Sequence, residues 1–372
     1  VNFGMNDSGA SYRQDLFGME NPSDEILAGR ANLVAAFGKN IGLLIQTLTA
    51  QKATPILAGP SIYDETLVAP GLNQTGGNSA IRACIDQLRE ISARENLGFV
   101  DFNTPMLEIN QRLQAENPES TIVGPDRVHP GPSGHWVMAL AFLQAQGADP
   151  IVAEASIDAS NSTVQRTTRC KLTDLAKSDE GISFTYAPEA LPLPADADYT
   201  KADQILGLSA ALNREVLAVH SLAPGRYALR MDDRLAGEFD AEEFAAGVNI
   251  ATLPENPGQK KSLALLDLIQ ERRRQENRIR ALRQNDAGDL SKLRSAESEA
   301  VIATYRAQLE KARADGNAHM ANRWTKWFED FPQEPSIRTR IEELDHEIYR
   351  ANTPAAFRIE ITRTPRSRSA EN

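Results

Sequence analysis

The sequence predicts an α/β fold over residues 1–150, with a parallel sheet and helices on both faces. Short apolar runs at Val1–Phe3, Thr54–Ala58 and Gly98–Phe102 alternate with longer stretches of helical periodicity. That β-α-β-α-β-α order implies parallel pairing through crossover helices. Composition then shifts near Asp149-Pro150, where short β-like runs take over, and again near residue 258, where charged helical sequence begins.

Each element has its own signal. Val1 to Phe3 reads as the tail of a strand. Asn21-Pro22-Ser23, with Asp24 and Glu25 behind it, is a helix entry. Apolar positions from Leu27 to Leu48 then recur at helical spacing over 25–51. Thr54 to Ala58, closed by Gly59-Pro60, reads as a buried parallel strand. The Gly/Asn/Ser-rich loop 71–79 leads into a helix over 80–95. A strand over 98–102, a helix over 105–115 and a helix over 133–146 complete the series.

Beyond residue 150 three regions are expected. Residues 151–257 form a β-rich accessory module, with strands at Ile182–Tyr186, Val216–Val219, Tyr227–Met231 and Ala236–Phe239. Residues 258–352 form a charged helical hairpin: a helix over 261–284, a break at Asn285–Gly288, a second helix to about 314, and a last helix over 336–350. In 353–372, the alternating Phe357–Ile361 reads as a strand that pairs back onto the β module, and the Pro/Arg/Ser-rich tail as disorder.

The 372 residues suggest roughly two to three domains. A net charge of −11 argues against nucleic acid or an anionic membrane as the main partner. No run approaches about 18 consecutive apolar residues, so no integral membrane segment is expected. The five histidines are scattered and the two cysteines make no metal-ligand spacing, so neither a metal nor a cofactor is expected. Cys84 reads as a buried small hydrophobe; its pairing with Cys170 stays open.

Two short motifs carry chemistry. Asp126-Arg127-Val128-His129-Pro130 sits on a loop that enters a helix. A histidine base must be held in one tautomer, and a carboxylate on its far nitrogen does that. Gly131-Pro132-Ser133 supplies a turn and a helix cap. Taken alone, Asp-x-x-His is a weak signal, and capping residues with a surface histidine are the favoured reading. Gly4-Met5-Asn6-Asp7 follows the first strand, where loops form the active-site rim of a doubly wound sheet. An Asn amide there can donate to a developing oxyanion, and Gly4 permits close backbone approach. Alone, it also fits an ordinary turn.

Together, in this order and context, the motifs resemble the SGNH (GDSL-type) hydrolases. Gly4-Met5-Asn6-Asp7 matches that family's third block and Asp126-Arg127-Val128-His129-Pro130 its fifth. Gly134 to Ala139 is similar to its last helix, and the likeness covers about residues 1–147. The resemblance implies a flavodoxin-like three-layer α/β/α sheet of order 2-1-3-4-5, of which this chain supplies strands three to five. It also implies His129 as general base, Asp126 as its orienting acid and Asn6 as oxyanion donor, with Gly4 and Asp7 in support. The substrate class it implies is a small-molecule or carbohydrate ester, and large members with such accessory regions are often exported. Stretches at Gly225–Leu229 and Phe244–Asn249 resemble accessory regions of some bacterial members.

The family's Gly-Asp-Ser nucleophile block does not occur in this sequence. Ser8 and Ser11 follow the wrong strand for that role. The serine is therefore expected upstream of Val1, and this chain by itself is expected to be inactive. The alternative is a non-catalytic binding or scaffold protein on the same fold.

Other features have plainer readings. His135 packs or caps. Ser61 to Asp64 form an ordinary loop or line the cleft. The arginines from Arg272 to Arg283 belong to a solvated, salt-bridged hairpin with Glu271, Glu276 and, on the partner helix, Glu297, Glu299 and Glu310. Trp324, Trp327 and Phe328 pack at helical spacing.

Overall fold

A computed structural model describes residues 1–285 and 298–365. It is a mixed α/β protein with parallel and antiparallel sheets, and it divides into two compact units. The first comprises Val1–Val152 and Ala195–Arg214; the second comprises Ala153–Pro194 and Glu215–Asn372.

In the first unit, α1 (Asp24–Ala50), β1 (Ile56–Ala58), α2 (Gly77–Glu95), β2 (Gly98–Val100), α3 (Asn103–Glu116) and α4 (Pro132–Ala145) follow in the expected order. β1 and β2 pair in parallel, Ile56 opposite Gly98. The strand expected at Val1–Phe3 is reduced to a single parallel bridge from Asn2 to Ala58. The tract is too short to carry a ladder. Because side chains alternate along a strand, Leu57 and Phe99 meet Phe37, Ile41 and Ile45 of α1 and Leu88 of α2. Ala58 and Val100 face the other way, onto Met106 of α3 and Val137 of α4. Helices thus cover both faces of this short sheet.

Ser23 caps α1, its side chain accepting from Ile26 N. By length and composition α1 could cross a membrane: a window of it has mean hydropathy 1.3 and is 17% buried. The count of consecutive apolar residues passed over it because polar residues interrupt the run. A core helix meets the same criterion, and Phe37, Ile41 and Ile45 are core residues. The helices α5 (Ala197–Leu206) and α6 (Leu208–Ala211) also belong to this unit and have no counterpart in the sequence reading. Trp136 of α4 meets Tyr199 of α5 edge-on at 5.3 Å.

The second unit contains two antiparallel sheets. β10 (Val248–Asn249), β7 (Arg214–His220), β3 (Ile151–Asp158) and β4 (Thr163–Thr168) form one; β5 (Cys170–Lys177), β6 (Gly181–Pro188), β11 (Phe357–Arg363), β8 (Arg226–Met231) and β9 (Arg234–Asp240) form the other. A single core joins them, with Ala155, Ile157, Leu217 and Val219 from one sheet and Phe184, Tyr186, Leu229 and Ile359 from the other. The strand at Phe357–Ile361 does pair back, lying between β6 and β8. The strands β3 to β5, and helix α7 (Ala241–Ala246), are additions to the sequence reading.

α8 (Pro257–Asn285), α9 (Ser298–Ala314), α10 (Ala318–Asp330) and α11 (Glu334–Ala351) complete this unit. Among the described residues the arginine run of α8 is salt-bridged, in part as expected, with Arg272 on Glu276 at 2.9 Å, and in part to carboxylates of later helices. Arg272 pairs with Asp345, Arg278 with Asp330 and Arg283 with Glu334, while Arg340 of α11 reaches Glu271 at 2.9 Å. Among the described residues, ion pairs of α8 thus reach both α10 and α11. Glu297, and the break expected from Asp286 to Gly288, fall outside the described residues. Trp324 and Trp327 are buried against Tyr305 and Leu309, as packing residues. Cys84 and Cys170 are both buried free thiols.

Candidate active site

The loops that follow Asn2, β1 and β2 leave the sheet at its carboxyl edge, where a doubly wound fold places its ligands. The first contains Gly4. Its φ is +127°, and a Cβ there would lie 3.1 Å from Pro60 Cγ in the loop after β1. Only glycine fits such a close approach in that conformation. Gly4 N donates to Asp7 Oδ2 at 3.1 Å and Ser8 N to Gly4 O at 3.0 Å, closing a tight turn. The turn leaves Asn6 exposed, its Oδ1 accepting from Ser11 Oγ at 3.3 Å. In that arrangement the Asn6 amide hydrogens have no partner among the described residues.

The Asp126–His129 segment is the tip of a small hairpin. Val123 bridges Pro130, Gly124 N donates to His129 O at 2.6 Å, and Gly131 N donates to Ile122 O at 2.9 Å. α4 begins where this hairpin ends. Its cap is Gly131, with Pro132 in the first turn and no side-chain cap bond. The cap expected from Ser133 is not made, because Pro132 already fixes the first helical residue and removes one donor. A Cβ on Gly134 would lie 2.4 Å from Ile122 O, so α4 packs directly on the hairpin backbone.

At the tip, His129 Nδ1 lies 2.6 Å from Asp126 Oδ2. The other carboxylate oxygen accepts from Val128 N at 3.0 Å and His129 N at 3.1 Å. Burial pushes the Asp126 carboxyl up. The hydrogen bonds from the His129 ring and from the two backbone N–H groups outweigh it and hold the carboxyl below its usual value. An ionised Asp126 accepts only, so Nδ1 carries a proton, and in the neutral ring that leaves the lone pair on Nε2. The His129 side chain is 82% exposed, and its Nε2 has no partner among the described residues. The ring is thus held at one nitrogen and open at the other.

The two motifs belong to one edge of the unit. Met5 and Val128 pack against the same cluster of Ala10, Tyr63, Ile81 and Ile85. Ser61 Oγ donates to Val128 O at 3.4 Å, and Asn103 Nδ2, after β2, donates to Ser61 O at 3.2 Å. Asp64 does not line a cleft. It is 2% exposed, and its carboxylate accepts from Thr66, Leu67, Asn110, Gln114 and Thr121. Burial pushes this carboxyl up, but those donors outweigh it and the net shift is downward. His135 is exposed on the first turn of α4. Among the described residues, no group of three or more His, Cys, Asp or Glu could hold a metal ion.

The fold has a counterpart among solved structures. This chain is similar to a gut microbial diltiazem-metabolizing enzyme, BT4096. The two are 27% identical, with a TM-score of 0.82, and the match covers 98% of this chain and 83% of that one. No protein-family model matches the chain, and no curated protein matches it.

Sequence reasoning missed Arg127, which lies inside the motif but is 4% exposed and points away from His129's solvent side. Its neighbours in space are carbonyl oxygens of the loop after β1, a contact no local pattern announces. Cavities of about 480 and 700 Å³ occur in the second unit. The first lies between α8 and α10 beside Arg274, Arg278 and Lys326; the second lies beside Ile302, Leu309 and Phe328.

Proposed function

We propose that this chain carries the histidine, the aspartate and an oxyanion donor of a serine-type ester hydrolase of the SGNH kind. The observation that carries the reading is the His129–Asp126 hydrogen bond, with Nε2 left open, on the edge that also presents Asn6. Nε2 is the atom that would take a proton from a serine hydroxyl attacking an ester carbonyl. Asn6 would donate to the oxyanion that then forms, and His129 would return the proton to the leaving alcohol. Water would release the acyl group by the same route.

The order Asn2–β1–β2, with helices on both faces, is what strands three to five of a 2-1-3-4-5 sheet require. The likeness to BT4096 supports enzymatic function and favours a small-molecule substrate over a polymer. The nucleophile is assigned to a Gly-Asp-Ser segment preceding Val1 in the natural protein.

The test is to read the coding sequence upstream of Val1 and assay the complete protein with p-nitrophenyl acetate and with diltiazem. Hydrolysis lost on replacing the upstream serine by alanine supports the reading. A complete protein with another residue at that position and no turnover would favour the binding or scaffold role instead.

A further inference from the structure

Asp126 and His129 sit on an exposed hairpin tip, yet a base must keep its orientation through every turnover. What fixes the tip lies underneath it. Arg127 has a φ of +67°, a left-handed conformation uncommon for a side chain that is not glycine. That twist sends its side chain inward while Asp126 and His129 stay exposed. Nη1 donates to the carbonyl of Asp64 at 3.0 Å and of Leu67 at 2.8 Å, and Nη2 to that of Ala69 at 3.2 Å. In return Asp64 N donates to Arg127 O at 2.9 Å.

The anchor is itself anchored. The Asp64 carboxylate holds its own turn through Leu67 N and is gripped from α3 by Asn110 and Gln114. Thr121 Oγ1 donates to Asp64 and accepts from Val123 N, which ties the base of the hairpin to the same hub. A guanidinium presents a planar fork of five donors, so it can serve three carbonyls at once; an ammonium is a point donor.

We propose that Arg127 is a positioning residue: through the loop Asp64–Ala69 it fixes the hairpin tip so that His129 keeps its proton on Nδ1 and its lone pair on Nε2. The proposal rests on the hydrolase reading for its meaning in turnover, but its structural core can be read in this chain directly.

The experiment is long-range ¹H–¹⁵N spectroscopy of the histidine rings in the 372-residue chain and its Arg127→Lys variant. The His129 signals are assigned by their loss in His129→Ala, and Asp126→Asn provides the reference for an unheld ring. The wild-type ring is expected to be protonated at Nδ1. The lysine variant, folded by far-UV circular dichroism, is expected to move toward the tautomer mixture of Asp126→Asn. In the complete enzyme the same change should lower kcat about ten- to a hundred-fold, with KM unchanged, as a small misplacement of a reacting group does.

If Arg127→Lys does not fold, Thr121→Val loosens the same hub more gently and should shift the balance in the same direction. Wild-type tautomer ratios in whichever of these variants folds would overturn the proposal. A tautomer shift in a protein that hydrolyses no ester would sink the hydrolase reading and leave the positioning role standing.

Discussion

His129 and Asp126 are joined at 2.6 Å through Nδ1, three residues apart on one turn, and the far side of the ring is open. One loop therefore supplies both members of the proposed dyad. If the pair acts as a unit, His129→Ala should lower kcat of the complete enzyme by about 10²–10⁴-fold. Asp126→Asn should also be strongly impaired, and the double variant should be little worse than His129→Ala alone. Additive losses in steady-state kinetics would mean that the two residues act separately.

Asn6 is held by its own turn rather than by contact with the dyad. If Asn6 is the oxyanion donor proposed above, Asn6→Ala should leave the fold intact and lower kcat by about 10²–10³-fold. A rise in KM at constant kcat would instead assign Asn6 to ground-state binding.

Gly134 lets α4 rest on the hairpin backbone. A methyl group there would meet Ile122 O at 2.4 Å and Pro130 Cβ at 3.0 Å. Gly134→Ala should destabilise the first unit by about 1–3 kcal/mol, as overpacking does. Urea unfolding of the variant tests this; an unchanged midpoint would show that the helix can shift freely.

In the second unit Glu215 is 1% exposed, and Asn256 Nδ2 donates to it at 2.8 Å. Burial pushes its carboxyl from 4.5 up to about 7, more than the hydrogen bonds bring it down. A folded-state value above the unfolded one means that the native protein holds the proton longer. Stability is then unaffected below about pH 4.5 and falls as pH rises toward 7, by on the order of 3 kcal/mol. Glu215→Gln should flatten that fall and melt higher than wild type at pH 8. Parallel melting curves for the two proteins from pH 4.5 to 8 would contradict the assignment.

Much of the first unit is legible in the sequence because its signals are local. Helical spacing from Leu27 to Leu48 marks α1, and the compact apolar runs ending at Ala58 and beginning at Gly98 mark β1 and β2. The Asp-x-x-His spacing is local too, which is why the 2.6 Å contact could be expected from the sequence. Periodicity likewise located Phe357–Ile361 as a strand, although its two neighbours, β6 and β8, are far away in the chain.

The tertiary structure alone decided what depends on partners distant in sequence. It turned Asp64 inward onto Asn110 and Thr121 and drove Arg127 beneath the hairpin onto the carbonyls of Leu67 and Ala69. It also gave the arginines of α8 carboxylates on α10 and α11. Side-chain type and spacing determine which groups a segment offers. Which of them is buried, and against what, follows from the packing of elements that lie tens of residues apart.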